Sequence, residues 1–326
     1  CITCKVTDKK GNEHGDFLTS PDLFLMGKSC PKCGNHLSYS EDEIYEFIVS
    51  KLGNNNVEKG NKTILDGKEI DIYVPSRKIG FEFNGIKWHS ENFKNKYYHL
   101  NKRNLAKERG VTLIHIFEDE YLLSKDIVLD KIAMILGCKE FEKKAPGRKC
   151  KIQEISFKES KDFLEKNHIQ GFVKSTIYLG AFYENELVAV MTFINNSKEW
   201  NLTRFATKNS YLCHGVASKL FKYFINVYNP QKVKSFLDLR WCFNEEENLY
   251  TKLGFIKDNI LKPDYKYTNG NGKRIHKFSF RKQKLSKKYG FPLTMTESQM
   301  VKELGYYRIW DCGLIKYVWT NKEKSL

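Results

Sequence analysis

The segment Val111-Thr112-Leu113-Ile114-His115-Ile116-Phe117 is apolar at five of its seven positions and does not alternate. A strand with one wetted face alternates, whereas a strand without alternation belongs inside a sheet covered on both faces. That requirement selects an α/β architecture, and the flanking residues supply its other parts. Residues 69–74 and 78–83 read as two strands around a turn at Pro75-Ser76. The acidic start Ser40-Glu41-Asp42-Glu43 opens an amphipathic helix through Leu52. Further helices are expected from Lys96 to Arg109, stopped by Gly110, and from Asp126 to Leu136, ended by Gly137.

A second α/β unit follows the basic linker 143–149. It should contain helices at 157–167 and 216–228 and strands near 178–183, 187–193, 201–206 and 233–239. With 326 residues, the chain divides into a cysteine-rich front (1–38), a first α/β unit (39–142), the linker, a second unit (150–283) and a C-terminal appendage (284–326).

Lys and Arg outnumber Asp and Glu by 55 to 39, a net charge of +16, which points to a polyanionic partner. No apolar run approaches the roughly 20 residues that span a bilayer, so no membrane role is expected. Nine cysteines, clustered only at the front, fit a reducing cytoplasm with one metal site rather than a disulfide framework. The chain starts at Cys1 rather than Met, which suggests a natural start further upstream. Oligomeric state, monomer or homodimer, is open.

Cys4, His14, Cys30 and Cys33 form the best metal set. Cys30-Pro31-Lys32-Cys33-Gly34 places two thiolates on one tight turn, the spacing of a structural zinc knuckle, and Cys1 competes with Cys4 for one corner.

A reactive centre is expected between Glu41 and Lys102. Asp71 near a strand end is a natural magnesium or manganese carboxylate, and Glu82 and Asn84 share one face of the next strand. Asn84-Gly85-Ile86-Lys87-Trp88-His89-Ser90-Glu91 then sets a rigid aromatic and an imidazole just past that strand, with His99 ten residues on. His115, mid-strand, reads as a core histidine, and Glu118-Asp119-Glu120 as a solvated strand end. These residues resemble the very-short-patch-repair (Vsr-like) endonucleases, a branch of the restriction-endonuclease fold, and most closely their phage homing relatives. The resemblance implies a metal-dependent DNA endonuclease in which Glu41 orients, Asp71 holds the metal and His89 activates water. Glu82, Asn84 or His99 would assist, and Trp88 and Lys102 would contact DNA. A repair nickase is the nearest alternative, and nick against double-strand cut stays open.

Residues 150 to about 270 resemble the GNAT acyltransferase fold, through Leu187-Val188-Ala189-Val190-Met191-Thr192-Phe193, Cys213-His214-Gly215-Val216-Ala217-Ser218-Lys219-Leu220 and Tyr250-Thr251-Lys252-Leu253-Gly254-Phe255. In that family the turn before the helix cradles a pyrophosphate. Leu212 stands where the family has Gln or Arg, so the unit is expected to bind DNA, with Arg204, Lys219 and Arg240 as contacts. The alternatives from other classes are an acetyltransferase or acyl-CoA-binding protein with a DNA-binding front, and a non-catalytic DNA-binding protein. The expected architecture is thus α/β multidomain: zinc knuckle, restriction-endonuclease-like core with a mixed sheet, then a GNAT-like domain.

Overall fold

The computed structural model describes residues 1–7, 12–21, 30, 36–197 and 199–321. At the front, β1 (Ile2–Thr7) and β2 (Glu13–Phe17) pair as an antiparallel hairpin, and α1 (His36–Leu52) follows. The first sheet has four strands, β3 (Glu58–Leu65), β4 (Lys68–Val74), β5 (Ile79–Asn84) and β6 (Thr112–Phe117), in that order. Its first two pairings are antiparallel and β5–β6 is parallel, so the sheet is mixed. A parallel pair needs a long crossover, and α2 (Tyr98–Glu108) lies in it. Helices α3 (Glu118–Leu123) and α4 (Lys125–Ile135) pack with α1 over Ile72, Phe81, Ile114 and Ile116. All six residues of β5 are buried, including Glu82 and Asn84, so the strand that bears candidate site residues lies in the dry interior.

Residues 143–149 do not form a free linker. Here β7 (Lys143–Lys144) pairs in parallel with β12 (Tyr211–Leu212), and residues 146–150 turn tightly against the second unit. Then come β8 (Lys151–Glu154), α5 (Phe157–Asn167), β9 (Ile177–Tyr183), β10 (Glu186–Asn195) and β11 (Trp200–Thr207). The order continues with α6 (Val216–Tyr228), β13 (Lys232–Asp238), α7 (Leu249–Lys252) and β14 (Ile256–Leu261). Ser156 accepts the Glu159 N–H while Glu159 reaches back to Ser156, a capping box that fixes where α5 begins. Along α6, Val216, Leu220 and Phe224 recur at four-residue spacing and face the sheet, with Phe224 stacked on Phe193 at 3.6 Å.

The C-terminal residues are not an appendage. Strand β18 (Leu314–Thr320) inserts between β13 and β14 and completes a seven-stranded sheet, β14-β18-β13-β11-β10-β9-β8. What separates from the sheet is an excursion between β14 and β18. It comprises β15 (Tyr265–Thr268), β16 (Ile275–His276), α8 (Lys282–Tyr289), α9 (Glu297–Glu303) and β17 (Tyr307–Trp310) around its own small core of Tyr267, Phe280, Leu285 and Met300. In the middle of the sheet, β11 and β13 pair in parallel only at Trp200–Val233 and Asn201–Lys234, and then part.

Candidate functional site

Polar side chains gather where β5, β6, α2 and the loop 85–97 meet. Asp71 Oδ2 accepts the Phe83 N–H at 2.7 Å. Lys102 Nζ donates to Glu82 Oε2 at 2.5 Å, both side chains being nearly sealed from solvent. Burial and the neighbouring Asp71 push the Glu82 carboxyl up to about 8. Burial and the same aspartate raise Glu41, on α1, to about 7. Burial raises Asp71 as well, against the pull of the Phe83 N–H. For Lys102, burial alone would lower the ammonium, but Glu82 outweighs it and the group stays charged.

Beside the acids stands a row of imidazoles. His89 Nδ1 and His99 Nε2 lie 2.8 Å apart and share one proton between them, and the His99 ring meets His115 edge-on at 5.4 Å. Burial, then Lys94, lowers His89 to about 3. Burial and mutual proximity hold His99 and His115 well below the ordinary imidazole range. Asn84 donates to the Ile116 carbonyl at 3.2 Å and lies 3.4 Å from His115 Nδ1. The arrangement therefore combines neutral imidazoles with two carboxyls that exchange protons near neutral pH, the means of acid–base chemistry.

The loop 85–97 is the lid of this cluster. It exposes Trp88, Phe93 and Tyr97. Trp88 and Phe93 meet at a tilt of 55° with ring centres 5.0 Å apart, and Lys87 Nζ lies 5.3 Å from the Trp88 ring centre. The excursion 262–310 holds the loop down: Ser90 bridges Ile309, the Glu91 N–H donates to the Arg308 carbonyl at 2.7 Å, and Lys96 sits 5.0 Å over Trp310.

Four of the five expected DNA contacts point elsewhere. Lys102 is committed to Glu82. Arg240 is buried between Glu120 (2.8 Å) and Asp238 (2.7 Å). Arg204 Nε donates to the Gly171 carbonyl, and Lys219 Nζ to the carbonyls of Arg148 and Cys150. Trp88 alone keeps an exposed face, 49% of it. The acidic run at 118–120 is not a solvated strand end either. Asp119 pairs with Arg274 at 2.8 Å and Glu120 with both Arg240 and Arg274, locking the first unit to the second. Burial alone would raise Glu120; Arg240 and Arg274 outweigh it and hold the carboxyl far below its usual range.

Among the described residues, the group whose ligand atoms converge is Cys4, His14 and Cys30, all within 4.8 Å of one another. Cys33 lies outside the described residues. At the start of α6, Gly215 takes φ +72°, and a Cβ on Gly147 would lie 2.6 Å from the Gly215 carbonyl carbon. Only glycine lets the two backbones meet so closely. The Gly147 N–H donates to the His214 carbonyl at 2.7 Å, so the turn 146–150 fills the end of the helix that would cradle a phosphate.

No protein-family profile matches the chain, and no curated protein does. Solved structures do. A GNAT family acetyltransferase from Elizabethkingia anophelis with acetyl-CoA bound is 15% identical over 53% of this chain and 99% of its own, with a TM-score of 0.31. The ribosomal-protein-S18-alanine N-acetyltransferase from Escherichia coli is 12% identical over 54% of this chain and 98% of its own, TM-score 0.34. An acetyltransferase from Bacillus subtilis in complex with CoA is 13% identical over 53% and 99%, TM-score 0.31. The chain is α/β and multidomain, similar over about half its length to GNAT acetyltransferases.

These findings correct the activity expected from residues 41–102. Against the DNA endonuclease expected there, homing enzyme or repair nickase, with catalytic magnesium or manganese, the similar structures are acetyltransferases, and that expectation is withdrawn. The geometry adds a physical reason. Glu82 is engaged by an ammonium and Asp71 by a backbone N–H, and among the described residues neither belongs to a converging group of three metal-ligating side chains. No helix among the described residues is long and apolar enough to cross a membrane.

Proposed function

We propose that this chain binds double-stranded DNA, with the loop 85–97 and the excursion that clamps it as the contact surface. One observation carries the reading: the loop exposes Trp88, Phe93 and Tyr97 and interleaves them with Lys87, Lys94 and Lys96. Among the described residues those lysines form no ion pair with a carboxylate. Aromatic wedges flanked by cations suit a duplex, where rings enter between base steps and ammonium groups neutralise phosphates. The excursion adds Arg281, Lys282, Lys284, Lys287 and Lys288 on or beside α8, with no acid among them. Glu41, Asp71, Glu82, Asn84, His89 and His99 would lie beneath the bound strand as an acid–base centre.

A second reading, an acyl-CoA-binding protein, is favoured by the cleft where β11 and β13 part, with Tyr250 on its wall. The filled end of α6 opposes it. Fluorescence anisotropy on a 20-base-pair duplex, beside calorimetry with acetyl-CoA, separates the two. DNA affinity should fall steeply with salt, and a Lys87→Glu/Lys94→Glu/Lys96→Glu protein should lose about ten-fold or more. Acetyl-CoA should give no saturable heat. Micromolar acetyl-CoA binding with salt-insensitive or unchanged DNA binding would replace the first reading with the second.

Cys4, His14 and Cys30 suit a soft divalent ion that staples the front hairpin, whose polar residues bury little by themselves. Elemental analysis should then find one metal per chain, lost in Cys30→Ala together with amide protection of β1 and β2. Retention of the metal in that variant would refute the ligand set.

A further inference from the structure

The cleft between β11 and β13 encloses 440 Å³ and is walled from both units. Its polar lining includes the donors Arg204, His168, Trp241 and Lys131, and Asn201, whose Oδ1 is buried without a partner. Arg204 comes from β11, and its hydrogen bonds, 3.0 Å to the Gly171 carbonyl and 2.8 Å to its own neighbour's carbonyl at Thr203, leave the charge without a carboxylate partner among the described residues. Burial accordingly lowers that guanidinium from its ordinary value. His168 accepts the Gln170 N–H at Nδ1, 3.1 Å away, so its proton resides on Nε2. Trp241 lines the same space, and its Nε1 is buried without an acceptor.

The fourth donor comes from the other unit. Lys131, on α4, lies 4.7 Å over the Trp241 ring and makes no ion pair among the described residues. Burial lowers its ammonium to about 8. Burial, then Arg204 and Lys131, also holds His168 well below the imidazole range, so these three groups face one another. The one carboxylate on the wall, Asp238, is already satisfied by Arg240 at 2.7 Å. Of these donors Trp241 Nε1 is buried without an acceptor, which is costly, and an anion would satisfy it while neutralising the half-buried Arg204 and Lys131. Apolar surface from Phe205, Phe236 and Leu314 completes the walls.

We propose that this cleft binds a small organic anion, a phosphate or carboxylate head held by Arg204, Lys131, His168 and Trp241, with a compact apolar body against the phenylalanines. The site exists only because α4 of the first unit closes the cleft of the second. It is separate from the DNA surface, so its failure leaves that reading standing.

The test uses the full chain and two probes, phenyl phosphate and benzoate, with benzyl alcohol as the uncharged control. Calorimetry should show saturable binding of at least one anion at one per chain and none of benzyl alcohol. Arg204→Met and Lys131→Met should each weaken it about ten-fold or more. In the unmodified protein, saturating anion should slow acetic anhydride labelling of Lys131 at least five-fold, read by mass spectrometry, while exposed Lys284 is unaffected. This readout needs no variant to fold. Preference for phenyl phosphate or for benzoate names the head group. No saturable binding of either anion, or equal labelling of Lys131 with and without them, overturns the site.

Discussion

Replacing Arg240 by Met should lower the melting temperature by roughly 6 °C or more, the largest single-residue effect expected at the junction of the two units. Arg240 is 4% exposed and divides its guanidinium between Glu120 of the first unit and Asp238 of the second. It lies with Arg274 against the ring of Phe117, at 5.1 and 3.8 Å. Methionine fills much of the volume but leaves two buried carboxylates short of a counter-ion, which costs about 3–5 kcal/mol. At about 2–4 °C per kcal/mol for a domain of this size, that gives the stated shift. Arg240→Lys should recover little, because a point charge cannot fork to both acids. Scanning calorimetry checks the outcome. A variant melting within about 1 °C of the parent would mean that the junction is held by its apolar contacts alone.

Stability against pH should pass through a maximum near pH 6.5 and fall on both sides. The acid limb comes from His89, His99, His115 and His168, all depressed by burial. Below about pH 6.5 the unfolded chain protonates four imidazoles that the folded chain keeps neutral, so unfolding takes up protons and acid favours it. Glu41 and Glu82 work in the opposite sense. Their folded values, about 7 and 8, lie above the unfolded range, so between pH 4.5 and 6.5 the folded state holds protons that the unfolded state lacks. Asp71 is raised too, in the same sense. Net uptake is then about two protons, about 2.7 kcal/mol per pH unit. Below pH 4.5 the unfolded carboxyls also protonate, the offset vanishes, and the slope should steepen. Above pH 6.5 the imidazoles are neutral in both states, while ionisation of the two glutamates in the fold costs stability up to about pH 8. Urea midpoints from pH 4 to 9 give the curve. Glu41→Gln should flatten the alkaline limb, since glutamine carries no charge to desolvate beside Asp71. A midpoint rising steadily from pH 5 to 9 would exclude this balance.

Helices 157–167 and 216–228 and the strands at 69–74, 78–83 and 111–117 were legible, to within a residue or so, because their determinants are local: period, caps and glycine stops. Strand β3 was missed because Glu-Lys-Gly-Asn-Lys-Thr is polar, and its place at the sheet edge tolerates that. Long-range pairing was not legible at all. Glu120 and Arg240 stand 120 residues apart, and Asp119 and Arg274 155 apart, so three consecutive acids looked like solvated charge. For the same reason basic residues that brace the fold were read as phosphate contacts. In the candidate site, the Glu82, Asn84, His89 and His99 cluster followed from strand alternation and the glycine turn, but the Lys102–Glu82 pair did not. Lys131 and Trp241, which line the cleft with His168, carry no sequence mark, because only the docking of the units makes them neighbours.

The position of β18 sets a timetable for the second unit. Strands β13 and β14 never pair with each other; each pairs with β18, whose residues are 314–320. During synthesis from the N-terminus, β14 therefore waits some fifty residues for its neighbour, with apolar edges open in the meantime. A ribosome that stalls inside the excursion, or a nuclease-truncated message ending there, would release a sheet lacking an interior strand rather than a slightly shortened one. The loop 85–97 would lose its clamp at the same moment, since β17 is made just before β18. Completion of the sheet and seating of the loop 85–97 are thus one late event, and half-made chains should be substrates for chaperones and proteases.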